Sequence, residues 1–223
     1  MENIKAVLFD LDNTLIMRMR TMPKVADTLC RYYFKDRKAE HKFISETFCD
    51  CFKCGYDKNS DCYENFVKRV NWENAPEYDV FFAFWNFYYP YCTQPMDDMM
   101  ESLVAVKNKG YKLGLVTNGP IGMQNAKIDV LGEEFRNIFD VIVITGEVGV
   151  HKPDPRPFIR ALELLDLKAE DCVYVGDHPR NDIDGARKVG MRTIWHEGYA
   201  DWEDQYAPAD ITISGLKELE NVL

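Results

Sequence analysis

The 223-residue chain reads as an α/β protein: a doubly wound parallel-sheet core with a small helical domain inserted after its first strand. Three observations predict this. Short apolar runs rich in β-branched residues recur along the chain; helical stretches alternate with them; and one long segment after the first run contains none. A continuous apolar run marks a strand covered on both faces, as in a parallel sheet. Strand–helix alternation is the pattern of doubly wound folds.

The runs are Ala6–Phe9, Leu113–Val116, Val141–Ile144, Cys172–Val175, Thr193–Trp195 and Ile211–Ile213. Helices are predicted between them at about 97–109, 120–131, 155–166 and 180–189. Asp154-Pro155 offers an N-cap followed by proline at the first helical position, and Gly119-Pro120 resembles the same arrangement. The domains so divided are an α/β core, residues 1–16 and 97–223, and a helical insertion, residues 17–96. The insertion is poor in glycine and rich in aromatics, densest over Phe81–Tyr89. Those rings suit the insertion's own core, or stacking against a planar or sugar-like substrate group. No internal repeat or low-complexity segment is present.

Composition narrows the partners. Hydrophobic residues make up 46% and charged residues 29%, an ordinary globular balance. Lys plus Arg number 27 against 37 Asp plus Glu, a formal net charge of −10. That argues against a nucleic-acid partner, whose affinity comes largely from phosphate neutralisation. It leaves room for a small phosphorylated substrate, which sees local charge. No segment approaches the roughly 20 apolar residues that span a bilayer, so no membrane partner is expected. The first apolar run is too short for a signal peptide. The protein is therefore expected in the cytoplasm, with its seven scattered cysteines as free thiols.

Four segments carry chemistry. Asp10-Leu-Asp12-Asn-Thr14 follows the first strand, and its two carboxylates sit where open α/β sheets place ligands. Carboxylates this close repel unless a cation or a proton lies between them. Such a pair can hold Mg²⁺ and divide the work of nucleophile and general acid/base; a capped turn with solvated carboxylates is the plainer alternative. An EF-hand loop is excluded, because Leu15 stands where the loop needs Gly and Thr21 where it needs Glu. Val116-Thr117-Asn118-Gly119-Pro120 is either an anion-binding strand-to-helix turn or an ordinary one. His151-Lys152-Pro153 places a lysine in extended backbone before a helix, to neutralise phosphate or simply to be solvated. Gly176-Asp177 with Asp182 adds carboxylates at a fourth strand's end, so that the set becomes an oxygen-rich site for a hard cation.

In this order and spacing the four segments resemble the haloacid dehalogenase superfamily, over the whole chain. Within it, Gly176–Ala186 is similar to the branch of small-molecule phosphatases. The resemblance implies a Rossmann-like core with a type 1 helical cap, and a Mg²⁺-dependent phosphatase acting on a nucleotide, flavin or sugar phosphate. It implies that Asp10 is the nucleophile and Asp12 the general acid/base. Thr117, the Asn118 backbone and Lys152 would hold phosphate, Lys152 also neutralising the nucleophile. Asp10, the Asp12 carbonyl and Asp177 would bind Mg²⁺, with Asp182 a ligand or its neighbour. Asp12 favours phosphate esters over haloacids, since a carbon-centred displacement needs no protonated alkoxide. A phosphomutase of the β-phosphoglucomutase type is the enzymatic alternative, and an idle binding protein on the same fold the non-enzymatic one. The cap is expected to act as a mobile lid supplying substrate contacts. Cys51-x2-Cys54, with Cys49 and Cys62, makes half a zinc motif that these extra thiols would have to complete, against buried helix thiols as the alternative.

Overall fold

The computed structural model describes residues 3–52 and 59–223. The chain divides into two compact units, Met17–Gln94 and the remainder, Met1–Ile16 with Pro95–Leu223. Strand β1 (Ala6–Phe9) precedes four helices of the inserted unit: α1 (Arg18–Tyr33), α2 (His41–Phe52), α3 (Asn59–Arg69) and α4 (Tyr78–Cys92). The core then resumes with α5 (Met99–Asn108), β2 (Lys112–Thr117), α6 (Ile121–Leu131), α7 (Glu133–Asn137), β3 (Val141–Ile144), α8 (Thr145–Val148) and α9 (Arg156–Leu165). It ends with β4 (Cys172–Gly176), α10 (Gly185–Lys188), β5 (Arg192–His196), β6 (Ile211–Ile213) and α11 (Leu219–Val222).

The six strands form one sheet in the order β3-β2-β1-β4-β5-β6, every neighbouring pair parallel. All of β1 and β4 is buried, as the continuous apolar runs require. The sheet alternates sides residue by residue, so Ala6 and Leu8 share a face with Cys172 and Tyr174. Against that face α9 lays Phe158, Ala161, Leu162 and Leu165, a 3.6-residue stripe. Burying each large apolar side chain here stabilises by about 1.5–3 kcal/mol. The chain runs from β1 outward through β2 to β3 on one side, then returns to place β4, β5 and β6 on the other. The crevice at this reversal of order, outside the carboxyl ends of β1, β2 and β4, is where such sheets hold ligands.

Helix starts differ slightly from expectation. Pro155 and Pro120 themselves occupy the N-cap positions, while Asp154 Oδ1 accepts from Arg156 N at 3.0 Å. The helix expected over 180–189 is a π-helical turn, Pro179–Asp184, followed by α10. Pro95 and Met96 belong to the core rather than the insertion. Ile16 bridges Pro95, and Met96 N donates to Leu15 O at 2.9 Å.

The inserted unit has an aromatic interior. One stripe of α4, Phe81, Phe84, Trp85 and Tyr89, is buried, whereas Phe87 and Tyr91 are exposed. Phe48 and Phe52 pack with Trp85, Phe52 with Phe81, and Phe66 with Phe48 and Phe52, at centroid separations of 5.0–6.4 Å. Arg18 ties the first helix to this interior. Its Nη2 donates to Phe52 O at 2.9 Å, its Nη1 to Tyr89 OH at 3.1 Å, and its guanidinium lies over Trp85. Cys30, Cys49, Cys51, Cys62, Cys92 and Cys172 are free thiols. Cys51 accepts from Asn65 and Arg69, and burial pushes Cys49 up to about 11. Cys54 lies outside the described residues, and with it the completed zinc motif. Among the described residues no helix is long and apolar enough to cross a membrane.

Candidate active site

The loop after β1 is built to turn back on itself. Asn13 takes a left-handed conformation (φ 61°), one that asparagine tolerates better than most residues. Leu15 N and Ile16 N both donate to Leu11 O at 2.9 Å, and Asn13 N donates to Ile16 O at 2.8 Å. Asp10 itself is fixed by its backbone, whose N–H donates to Val175 O of β4 at 2.9 Å. The ends of β1 and β4 are thereby locked together.

Asp10, Asp177 and Asp182, all buried, bring one carboxylate oxygen each within 4.8 Å of one another. Lys152, also buried, reaches into this cluster. Its Nζ lies 2.6 Å from Asp10 Oδ1, 2.7 Å from Asp182 Oδ1, 2.8 Å from Tyr174 OH and 3.0 Å from Val116 O. Burial alone would depress the lysine, but the charges of Asp10 and Asp182 hold it well above its ordinary value. Burial pushes Asp10 up to about 7, against the pull of Lys152 and with the push of Asp182. With all three carboxylates ionised against one ammonium, the cluster carries two net negative charges, the amount one divalent cation cancels. The donors are all hard oxygens, and the site therefore fits Mg²⁺.

Asp182 is held from both sides: Oδ1 takes Lys152, and Oδ2 accepts from His178 N at 3.0 Å. The π-helical turn carries it back over β4 so closely that a Cβ at Gly176 would fall 2.4 Å from Asp182 Cβ. Gly176 has no positive φ to explain it; the close approach does. Asp177 receives support from β5, where Trp195 Nε1 donates to Asp177 O at 2.7 Å.

The Asn118 side chain clamps the lysine's loop. Lys152 N donates to Asn118 Oδ1 at 2.8 Å, and Asn118 Nδ2 donates to Lys152 O at 3.2 Å. Thr145 Oγ1 accepts from Gly119 N at 3.1 Å and bonds His151 Nδ1 at 2.8 Å, so His151 serves the loop architecture. Thr117 ends β2 fully buried, with its hydroxyl 2.5 Å from Gln124 Nε2.

Asp12 does not bring its carboxylate into the cluster. Lys127 Nζ contacts both of its oxygens, at 2.9 and 2.8 Å, and Gln124 Nε2 donates to Oδ2 at 3.2 Å. Lys127, Gln124 and Tyr174 are the site residues that sequence reasoning missed. The first two look like the solvent face of a helix, and the third like an apolar strand position.

Known proteins match the chain across most of their length. The chain is 30% identical over 203 residues to glyceraldehyde 3-phosphate phosphatase of Methanopyrus kandleri, covering 86% of this chain and 83% of that one. It is 32% identical over 203 residues to pyrophosphatase PpaX of Bacillus mycoides, covering 86% and 82%. Among solved structures, a HAD phosphatase of Thermococcus onnurineus superposes with a TM-score of 0.64 at 30% identity, over 98% of this chain and 97% of that one. The family model described as haloacid dehalogenase-like hydrolase matches residues 4–190, which take in β1, β2, β4 and the Lys152 loop that assemble the carboxylate cluster. The chain belongs to the haloacid dehalogenase-like hydrolases.

Proposed function

We propose that this chain is a Mg²⁺-dependent phosphatase that hydrolyses a small-molecule phosphate monoester through an aspartyl-phosphate on Asp10. The observation that carries this reading is the Asp10 carboxylate, held at 2.6 Å by a buried lysine inside a buried three-carboxylate cluster. Phosphoryl transfer needs positioning and charge neutralisation above all. Asp10, Asp177 and the Asp12 carbonyl would hold Mg²⁺, with Asp182 beside them. When bound, the ion supplies charge neutralisation at the transferring phosphoryl group.

The chain's own residues do the rest. An Asp10 oxygen bonds to phosphorus as the ester P–O bond breaks, and Asp12 gives its proton to the departing alkoxide. Water then bonds to phosphorus as the Asp10–phosphorus bond breaks, and Asp12 takes the water's proton. Thr117, the Asn118 backbone N–H and Lys152 hold the phosphoryl oxygens. Their location at the end of β2 and in the loop before α9 supports that role. The name glyceraldehyde 3-phosphate phosphatase supports a phosphoric monoester hydrolase and puts that ester beside nucleotide, flavin and sugar phosphates as a candidate substrate, while the pyrophosphatase relative acts on an anhydride rather than an ester. We assign substrate selection to the inserted unit, Met17–Gln94, in the manner of a lid, and its exposed Phe87 and Tyr91 are the first residues to vary. The free thiols support a cytoplasmic setting.

The test is phosphate release by purified protein from a panel of phosphate monoesters, with p-nitrophenyl phosphate as the generic member, with and without Mg²⁺. Release from at least one ester in Mg²⁺ and none in excess chelator is expected. Sugar-phosphate isomerisation primed by a bisphosphate, without net phosphate release, would assign a mutase instead.

A further inference from the structure

Helix α6 has a buried face that runs against its environment. Gln124, Lys127 and Ile128, at spacings of three and four, form its buried stripe, and two of the three are polar. Lys127 is 4% exposed, and removing a partner from such a buried charge is strongly destabilising. A pair of well-packed apolar residues would hold a helix against its sheet as well or better. Local rules broken in this way concentrate at functional sites. Both polar side chains converge on Asp12, and Gln124 Nε2 also reaches Thr117 Oγ1 and Asn118 O, at 2.5 and 3.0 Å.

We infer that Lys127, with Gln124, is a positioning residue that fixes the Asp12 carboxylate for proton transfer and ties it to the Thr117 phosphate-holding turn. This rests on the phosphatase reading above. A carboxylate on a short loop has two free side-chain torsions. The Lys127 ammonium, contacting both oxygens, removes that freedom at an atom that must reach the leaving group in one step and water in the next. The side chain of Asp12 is still 28% exposed, so the pair anchors it without sealing it off.

The alternative is a structural pair that only pins α6 to the loop after β1, and it predicts different results. In K127M, kcat on an alkyl phosphate should fall about 100-fold or more, the usual scale of lost acid–base catalysis, with KM within about threefold. p-Nitrophenyl phosphate, whose leaving group departs without a proton, should lose at least about tenfold less. K127R should recover part of the alkyl rate. The crystal structure of K127M should show the Asp12 carboxylate displaced while Asp10 and Lys152 stay in contact. Equal losses on both esters, or an Asp12 carboxylate that stays in place in K127M, would overturn the inference. If K127M does not fold, K127Q, which keeps a donor and drops the charge, carries the same expectations. If the wild type releases phosphate from no ester, the phosphatase reading fails and the inference falls with it, whereas equal losses on both esters in an active enzyme overturn the inference alone.

Discussion

Replacing Gly176 by alanine should dismantle the carboxylate–lysine cluster. The added Cβ would stand 2.4 Å from Asp182 Cβ, 2.5 Å from its Cγ and 2.7 Å from its Oδ2. An ordinary carbon–carbon contact is about 3.5–4.0 Å, so Asp182 must retreat by about 1 Å. It has no room to do so without loss. Asp182 Oδ1 is 2.7 Å from Lys152 Nζ, its Oδ2 is 3.0 Å from His178 N, and its own N–H donates to His178 O at 3.0 Å. A 1 Å retreat stretches both side-chain contacts beyond hydrogen-bonding distance and leaves Lys152 with one carboxylate partner. Overpacking costs about 1–3 kcal/mol, and disrupting a buried charged pair up to about 3–5 kcal/mol. A loss of roughly 3–6 kcal/mol is therefore expected in urea denaturation, a large share of a typical domain's net stability of about 5–15 kcal/mol. Where the variant folds, misplacement on this scale should lower kcat by about 100-fold. The shortest contact is Cβ to Cβ, so introducing G176A should cost as much in a D182A background as its steric part does in the wild type. In a D182G background it should cost little. A G176A protein within about 1 kcal/mol of wild type would refute the reasoning. So would a crystal structure of it with Asp182 unmoved, or relief of the clash by D182A.

Three further outcomes follow from the same geometry. D10N should lose nearly all phosphate release while keeping its fold, because Asp10 is the carboxylate at the end of β1 that Lys152 contacts; more than about one-tenth of wild-type kcat would remove it as nucleophile. Activity should depend on a divalent ion, with Mg²⁺ best and Ca²⁺ poor, since calcium's longer, looser coordination misplaces the phosphoryl group; full turnover in excess chelator would contradict the proposed metal site. His196 is 2% exposed, its Nδ1 has no hydrogen-bond partner, and burial lowers its pKa from 6.5 to about 4. Its folded-state pKa is thus below the unfolded value, so the stability is present above pH 6.5 and is lost as pH falls toward 4. Urea denaturation should report about 2 kcal/mol lost from this group between pH 7 and pH 5, and H196F should flatten that part of the profile by the same amount; equal pH dependence in both proteins would disprove the assignment.

The sheet and the location of the site were legible in the order of the residues alone. Strands buried on both faces must be apolar throughout, so Ala6–Phe9 was legible to the residue; the edge strands Val141–Ile144 and Ile211–Ile213, only partly buried, were legible to the residue from their β-branched runs, and β2, β4 and β5 to within a residue at each end. The motifs stand directly after β1, β2 and β4 because a parallel sheet gathers its strand ends at one edge. Helix starts shifted by one residue, and residues 179–184 wound into a π-helical turn. Local signals fix the existence of a helix better than its register. What the side chains touch was set by the folded arrangement of distant segments. Gln124 and Lys127 read as a solvated helix face until α6 packs against a loop more than a hundred residues earlier in the chain. Tyr174 reads as one more apolar strand residue until its hydroxyl donates to Val116 O and meets Lys152. Asn118 could be assigned a backbone role from its motif, yet its side chain holds the Lys152 loop. Gly176 gives no local reason for being glycine; the reason is Asp182, six residues on and folded back over the strand. Periodicity encodes which residues face inward, because that depends on neighbours three or four positions away. Which polar group meets which depends on chain segments far apart in sequence, and that pairing exists only once the sheet has brought them together.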